Sequence, residues 1–375
     1  MENAIDDGRR SAPAGWLHRW AVLIVCLVWP LIWVGGLVTT YDAGMAVPDW
    51  PGTYGKNLFL YPYQTWLLGP FDLFIEHGHR LLGAIVGFLA IIAVVVAWVS
   101  ERRLWVRWLS VVLLVAVIGQ GVLGGMRVVL GDRTLAMVHG CTGPLFFVIC
   151  IALAVVTGRW WRERPHQIGL TVPSGGQVRL TAVVTLLAYV QLLLGAQLRH
   201  VQATASPSAF AHLVYTHVTG AVVLWGLAGW LAWRLRAMDA NRQESSAAEG
   251  RAAKTPAANA GCGDLTLLRP SYVLVGLVGL QIALGLGTWV VNYGWPHVAQ
   301  VGPTSAGYLV KSKAFSEAII TTAHVATGSL ILALGAMLWL RSSRARFRHD
   351  QALSRQVSPP GLESPVEKRQ RLQVS

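Results

Sequence analysis

Residues 76–99 read EHGHRLLGAIVGFLAIIAVVVAWV, a polar opening with two histidines followed by an apolar run too long for a buried strand. The same layout recurs three times further along. His79, His139, His217 and His324 each lie within the first two or so turns of a hydrophobic run, and each is followed four residues later by a small residue: Gly83, Gly143, Ala221 and Gly328. Histidine inside a membrane helix is costly and needs a partner, so four at one depth point to a shared kind of site. At (i, i+4) the small residue lies one turn away on the same face, where a bulky side chain would hold a planar cofactor off.

The 375 residues are 54% hydrophobic and only 13% charged, too apolar for an ordinary soluble domain. Eight runs are long enough to span a bilayer: 20–38, 75–99, 104–126, 134–157, 180–199, 210–233, 271–292 and 317–340. Their length and Leu/Val/Ala content predict helices, since barrel strands would alternate polar and apolar residues. The expected fold is an all-α polytopic membrane protein of eight transmembrane helices, arranged as two tandem four-helix halves with pseudo-twofold symmetry.

With the N-terminus cytoplasmic, 24 of the 31 Lys and Arg fall on the inner side. The other seven are Lys56, Arg80, Arg127, Arg133, Arg199, Lys311 and Lys313. Basic inner loops against anionic lipid account for the net charge of +13, so nucleic acid is not expected as a partner. Both termini are then cytoplasmic, every even-numbered helix begins on the outer side, and all four histidines sit in the outer half of the membrane. Cys26, Cys141, Cys150 and Cys262 set up no disulfide on the oxidising side. Glu2, Asp6 and Asp7 are unlike an organelle presequence, and the first apolar run reads as a retained helix.

The odd-numbered helices repeat another element: Gln120 to Gly124, Gln191 to Gly195 and Gln281 to Gly285 each read Gln-x-x-Leu-Gly, while the first helix keeps only Gly35-Gly36. The unit is a helix pair used about four times. Residues 1–19 are read as a cytoplasmic N-terminus and 20–157 as the first half, with an outer loop at 39–74. A cytoplasmic linker at 158–179 leads to the second half at 180–341. Within that half 234–270 is expected as a flexible cytoplasmic loop, and 342–375 as a disordered cytoplasmic tail. The outer loop is rich in Tyr, Trp, Pro and Gly, and is expected to fold over the outer face as a lid.

Haem iron takes axial imidazoles, so four histidines in two halves point to two haem sites. By the repeat, His79 and His139 belong to the first and His217 and His324 to the second. Arg127, Arg199 and Arg80 are candidate donors to the propionates, with Gly83, Gly143 and Gly328 giving room to the ring. His77 lies about 200° round the helix from His79, so both cannot face one site. His79 is preferred because Gly83 follows it, whereas Leu81 follows His77. His212 remains an alternative to His217. Glu76 shares the face of His79, and a carboxylate there can accept a proton or fix the imidazole. Glu317 is read as mainly interfacial. A metal cluster is disfavoured, because the histidines come from four separate helices with no carboxylate or thiolate set beside them.

These residues resemble the haem A synthase family. The resemblance covers nearly the whole bundle and rests on Gly35-Gly36-Leu37-Val38 leading to Pro48-Asp49-Trp50-Pro51, then Glu76-His77-Gly78-His79-Arg80-Leu81-Leu82, the Gln-x-x-Leu-Gly turns and the later histidine helices. It implies a bacterial cytoplasmic membrane enzyme of cytochrome oxidase assembly that oxidises a ring methyl of haem O to the formyl group of haem A. Haem O, supplied by a haem O synthase, would be held as substrate by His79 and His139, with Glu76 needed for the reaction. A haem b would be held by His217 and His324, served by an unidentified electron partner. Three positions depart from the pattern: Val47 and Thr53 stand where many relatives carry cysteines, and Thr39 stands where they tend to carry arginine.

Two other readings use the same residues. A non-catalytic membrane b-type cytochrome relaying electrons would share the histidines without needing Glu76 or an ordered outer loop. A repeat-built transporter would place its polar groups at mid-depth, and the helices show no paired Gly/Pro breaks there.

Overall fold

The computed structural model describes residues 15–162, 172–201, 205–252, 266–294 and 314–357. In chain order its helices are α1 (Trp16–Thr40), α2 (Tyr63–Leu67), α3 (Phe71–Ser100), α4 (Leu104–Val129), α5 (Arg133–Thr157), α6 (Arg159–Arg162), α7 (Gly175–Arg199), α8 (Pro207–Ala252), α9 (Leu268–Tyr293) and α10 (Phe315–Val357). Among the described residues there is no strand, only an isolated bridge between Thr53 and Lys56. Eight helices, all but the short α2 and α6, are long and apolar enough to cross a membrane. Their outward faces carry large apolar side chains: on α3, Phe88, Val95 and Val99 are 63%, 58% and 78% exposed. Such a surface is at home only against lipid, and the chain is an integral membrane protein.

In the first four spans, α1 packs on α3 and α5, and α4 packs on α3 and α5, closing a ring of four. The second four repeat this, with α7 and α9 each packed on α8 and α10. Ile24, Val86, Ala90, Phe147 and Leu153 fill the first ring, and Leu231, Leu274, Val278 and Leu338 the second. The rings meet where α10 lies against α1 and α5. Small residues let the backbones approach there: a Cβ on Gly36 would stand 2.8 Å from Thr322 Cγ2. Thr40 and Thr322 hydroxyls lie 3.2 Å apart at the same seam.

Local signals fix where the helices start. Gly131 adopts φ +61° between α4 and α5, the left-handed region that favours glycine. Asp132 then caps α5, its carboxylate accepting from Thr134 N at 2.6 Å and Leu135 N at 3.2 Å. Ser174 and Gln177 form a reciprocal capping box at the start of α7.

Two expectations are corrected. The stretch expected as a flexible loop from 234 is helical to Ala252 at the end of α8, and the tail expected to be disordered from 342 is helical to Val357 at the end of α10. Both continuations are rich in Ala and Arg, strong helix formers that propagate a helix without a continuous apolar face. Residues 253–265 of that loop, the tail beyond Val357, Cys262, Lys311 and Lys313 lie outside the described residues, and α9 begins within the expected loop at Leu268.

Candidate functional site

Near the start of α3, four side chains diverge as the helix turns. His77 faces the outer loop: its Nδ1 lies 3.0 Å from Thr53 Oγ1, and its ring centroid is 5.3 Å from that of Tyr61 and 5.0 Å from that of Trp66. His79 faces the bundle interior instead. Its ring meets His139 of α5 edge to face, with centroids 6.4 Å apart and planes at 88°. In the second half His217 of α8 and His324 of α10 stand 6.3 Å apart at 76°. His212 is exposed, its Nδ1 2.7 Å from the carbonyl of Ser208 on its own helix, so geometry favours His217.

Two metal–nitrogen bonds of about 2.0 Å, each extended by an imidazole radius of about 1.1 Å, would put coaxial ring centroids roughly 6.2 Å apart. Both pairs have this separation without touching each other, which fits an iron held between them. The surroundings orient the rings as a ligand needs. His324 Nδ1 lies 3.1 Å from the carbonyl of Gln281. Backbone carbonyls of Leu31, Gln120 and Gln191 lie near His79, His139 and His217. No hydrogen bond closes at the Nδ1 of those three rings. For His324 the carbonyl on the Nδ1 side leaves Nε2 as the atom free to ligate.

Each such carbonyl lies four residues before a glycine, and that glycine carries the ring edge. A Cβ added at Gly35, Gly124, Gly195 or Gly285 would stand 2.8, 3.2, 3.2 or 3.0 Å from Cε1 of His79, His139, His217 or His324. These glycines belong to neighbouring helices and are distinct from the (i, i+4) small residues expected to leave room for a planar cofactor. Nothing lies within 4 Å of a Cβ on Gly83, while Gly143 and Gly328 face the side chains of Gln120 and Gln281. The repeated Gln and Gly were visible in sequence, but which histidine each serves is a contact between helices.

Arg80 is corrected as well. Instead of pointing into the gap, its guanidinium donates to the carbonyls of Val47 at 2.7 Å, Asp49 at 2.6 Å and Gly52 at 2.9 Å, and to Glu76 Oε1 at 2.8 Å. The three carbonyl bonds tie the outer loop to α3, and the fourth holds Glu76 on the same helix. Val47 and Thr53, the positions without cysteine, are both fully buried in this joint. Trp50 lies so close to Gly125 of α4 that no side chain would fit there, and Gly44 presses on the Arg127 guanidinium. Asp49 braces the turn, accepting from Tyr54 N and Gly55 N at 2.8 Å each. Burial alone would raise the Asp49 pKa, but these two N–H groups and Arg80 outweigh it and hold the carboxyl below its usual range.

Glu76 is 2% exposed, and its Oε2 has no hydrogen-bond partner among the described residues. The charge of Arg127 acts on Glu76, His79 and His139, that of Arg80 on Glu76 and His79, and that of Arg199 on His324. Arg199 also donates to the carbonyl of Gly36 at 2.9 Å and to Thr40, joining α7 to α1. Thr39 returns its hydroxyl to the Gly35 carbonyl at 3.2 Å and supplies no cation. Burial, with Arg199, Arg133 and Arg127 nearby, holds the pKa of His200 down to about 4. Glu317 Oε2 accepts from Ala314 N at 3.2 Å, at the helix end where it was expected.

The family model for cytochrome oxidase assembly protein, COX15-CtaA, matches residues 18–214, more than half of the chain and all of the first ring. The chain belongs to this family. Among relatives, a protein named heme A synthase from Shouchella clausii is 29% identical over 179 residues, which cover 47% of this chain and 56% of that protein. One of the same name from Hyphomonas neptunium is 22% identical over 351 residues, covering 77% and 97%. A third, from Methylobacterium radiotolerans, is 25% identical over 217 residues, covering 50% and 58%. The chain thus spans little more than half the length of two of these relatives. In this family member the matched region contains Glu76, His79, His139 and the loop joint.

Proposed function

We propose that the chain is a haem A synthase, oxidising the methyl group of haem O to the formyl group of haem A for cytochrome oxidase assembly. The observation that carries this reading is the His79/His139 pair, set at an iron-spanning separation beside a buried carboxylate with a free oxygen and under a folded loop. Haem O is the substrate of that first site, held through His79 and His139 with Arg127 toward a propionate. His217 and His324 would hold a resident haem b, with Arg199 as its nearby cation. Haem iron supplies one-electron and oxygen chemistry when bound.

Glu76 has one oxygen held by Arg80 and the other unpartnered, so Oε2 is the atom placed to take or return a proton at the substrate. Arg80, spent on the loop, keeps Glu76 in place and closes the outer side against water. The charge pattern supports a cytoplasmic membrane location with both termini inside and both sites toward the outer surface. The two rings of four would be pseudo-twofold copies. A haem O synthase is the expected donor, and electrons would leave to a separate partner.

Production of the chain with a haem O synthase in a host lacking haem A tests this. Haem A should appear in extracted pigments. Unchanged haem O beside folded, haem-loaded protein would refute the activity and favour the b-type cytochrome. Glu76→Gln separates the two: the enzyme keeps its haem and loses conversion, while a plain cytochrome is unaffected.

A further inference from the structure

The end of the bundle opposite the histidines carries chemistry that the proposed activity does not use. Arg344 lies on α10 twenty residues past His324, about 30 Å along a helix. Its guanidinium stacks on the Trp161 ring of α6, 5.1 Å from the centroid. Arg348 donates to the Trp161 carbonyl at 3.2 Å, and Arg103, between α3 and α4, donates to the Val156 carbonyl at 3.0 Å. The positive charges of Arg348 and Arg103 both act on Arg344. The neighbouring acid, Glu101, is already taken by Arg103, at 3.0 Å to Nε and 2.7 Å to NH2.

Arg341, one turn before Arg344, stacks on the Trp160 ring 5.7 Å from its centroid, and in this concentration of cations the buried donors Arg344 Nε and Trp160 Nε1 face no acceptor among the described residues. Buried N–H groups are rarely left unpaired, and a donor on a cation calls for an anion. The surroundings indicate where that anion comes from. Trp105 and Trp108 on the adjoining face of α4 are 49% and 54% exposed, and the Trp105 ring is 6.5 Å from that of Trp161. Tryptophans at the rim of an apolar bundle lie at headgroup depth, and basic recesses there suit anionic headgroups.

We propose that Arg344, Arg103, Arg348 and Trp160 form a binding site for the phosphate of an anionic membrane lipid, whose acyl chains lie along α4. The lipid braces α6 and α10 against α4 and α5, a role independent of the haem chemistry.

The full-length protein, delipidated in mild detergent, is titrated with phosphatidylglycerol, with phosphatidylcholine and with inorganic phosphate, reading the apparent melting temperature and the lipid retained in native mass spectra. Phosphatidylglycerol should stabilise and be retained, while phosphatidylcholine and inorganic phosphate should not match it. Arg344→Gln should weaken the titration about tenfold, as expected for one charge-assisted contact. Trp160→Phe, which removes one donor and keeps the ring, should also weaken it and decides the matter should Arg344→Gln not fold. Arg346→Gln, whose arginine pairs with Asp350, should leave it unchanged. Equal response to phosphatidylcholine, or unaltered titrations in both variants, overturns the site. A full response to inorganic phosphate alone overturns its assignment to lipid.

Discussion

His79 and His139 stand edge to face across the first ring of helices at 6.4 Å, too far apart to touch and too close to admit another side chain. His217 and His324 repeat the relation within 0.1 Å, from 6.4 to 6.3 Å, in a different set of helices. The two pairs share this separation, and a glycine of a neighbouring helix backs each of the four rings.

The glycines give the first prediction. Gly124→Ala puts a methyl 3.2 Å from His139 Cε1, so the ring must shift. Gly140→Ala, with nothing within 4 Å of its Cβ, is the matched control. Electron paramagnetic resonance of haem-loaded protein should show altered g values for Gly124→Ala and native ones for Gly140→Ala.

Arg80 and Glu76 form a buried ion pair, at 10% and 2% exposure, so removing one partner strands the other. Arg80→Met should destabilise by about 3 kcal/mol, and adding Glu76→Gln should recover part of that. Apparent melting temperatures of the single and double variants measure both steps.

Thr53→Val deletes the hydrogen bond to His77 and leaves its Nδ1 buried, costing about 1–3 kcal/mol in the loop joint. The loop between Val47 and Tyr61 should become more sensitive to limited proteolysis, with haem content unchanged.

Acid should loosen the same loop through Asp49. Its folded pKa lies below the unfolded value, so its bracing is complete above about pH 4 and is lost as pH falls through the folded pKa. Proteolytic susceptibility of the loop should rise on that acid limb, and Asp49→Asn should flatten the rise by removing the titrating group.

The eight helices and their histidines were legible because a bilayer demands long apolar runs and penalises buried imidazole, signals that are local in sequence. The choices of His79 over His77 and of His217 over His212 rested on helical angle and the residue at i+4; His79 and His217 face a partner histidine, while His77 faces the outer loop. Contacts between helices were not legible: Gly83 was expected to leave room for a planar cofactor because it shares a helix with His79, but nothing local showed that Gly35, 44 residues before His79, backs the imidazole itself. Arg80 was read as a propionate donor because nothing in sequence shows three loop carbonyls converging on it. The ends of α8 and α10 were missed because polar helix formers continue a helix without hydrophobic periodicity.

Haem stoichiometry and ligation in the purified protein test the paired-imidazole account most directly, by pigment assay together with electron paramagnetic resonance. The account predicts low-spin iron with two imidazole ligands in the second ring, lost in both His217→Ala and His324→Ala and retained in His212→Ala. Retention of that signal in His217→Ala or His324→Ala, or its loss in His212→Ala, would contradict it.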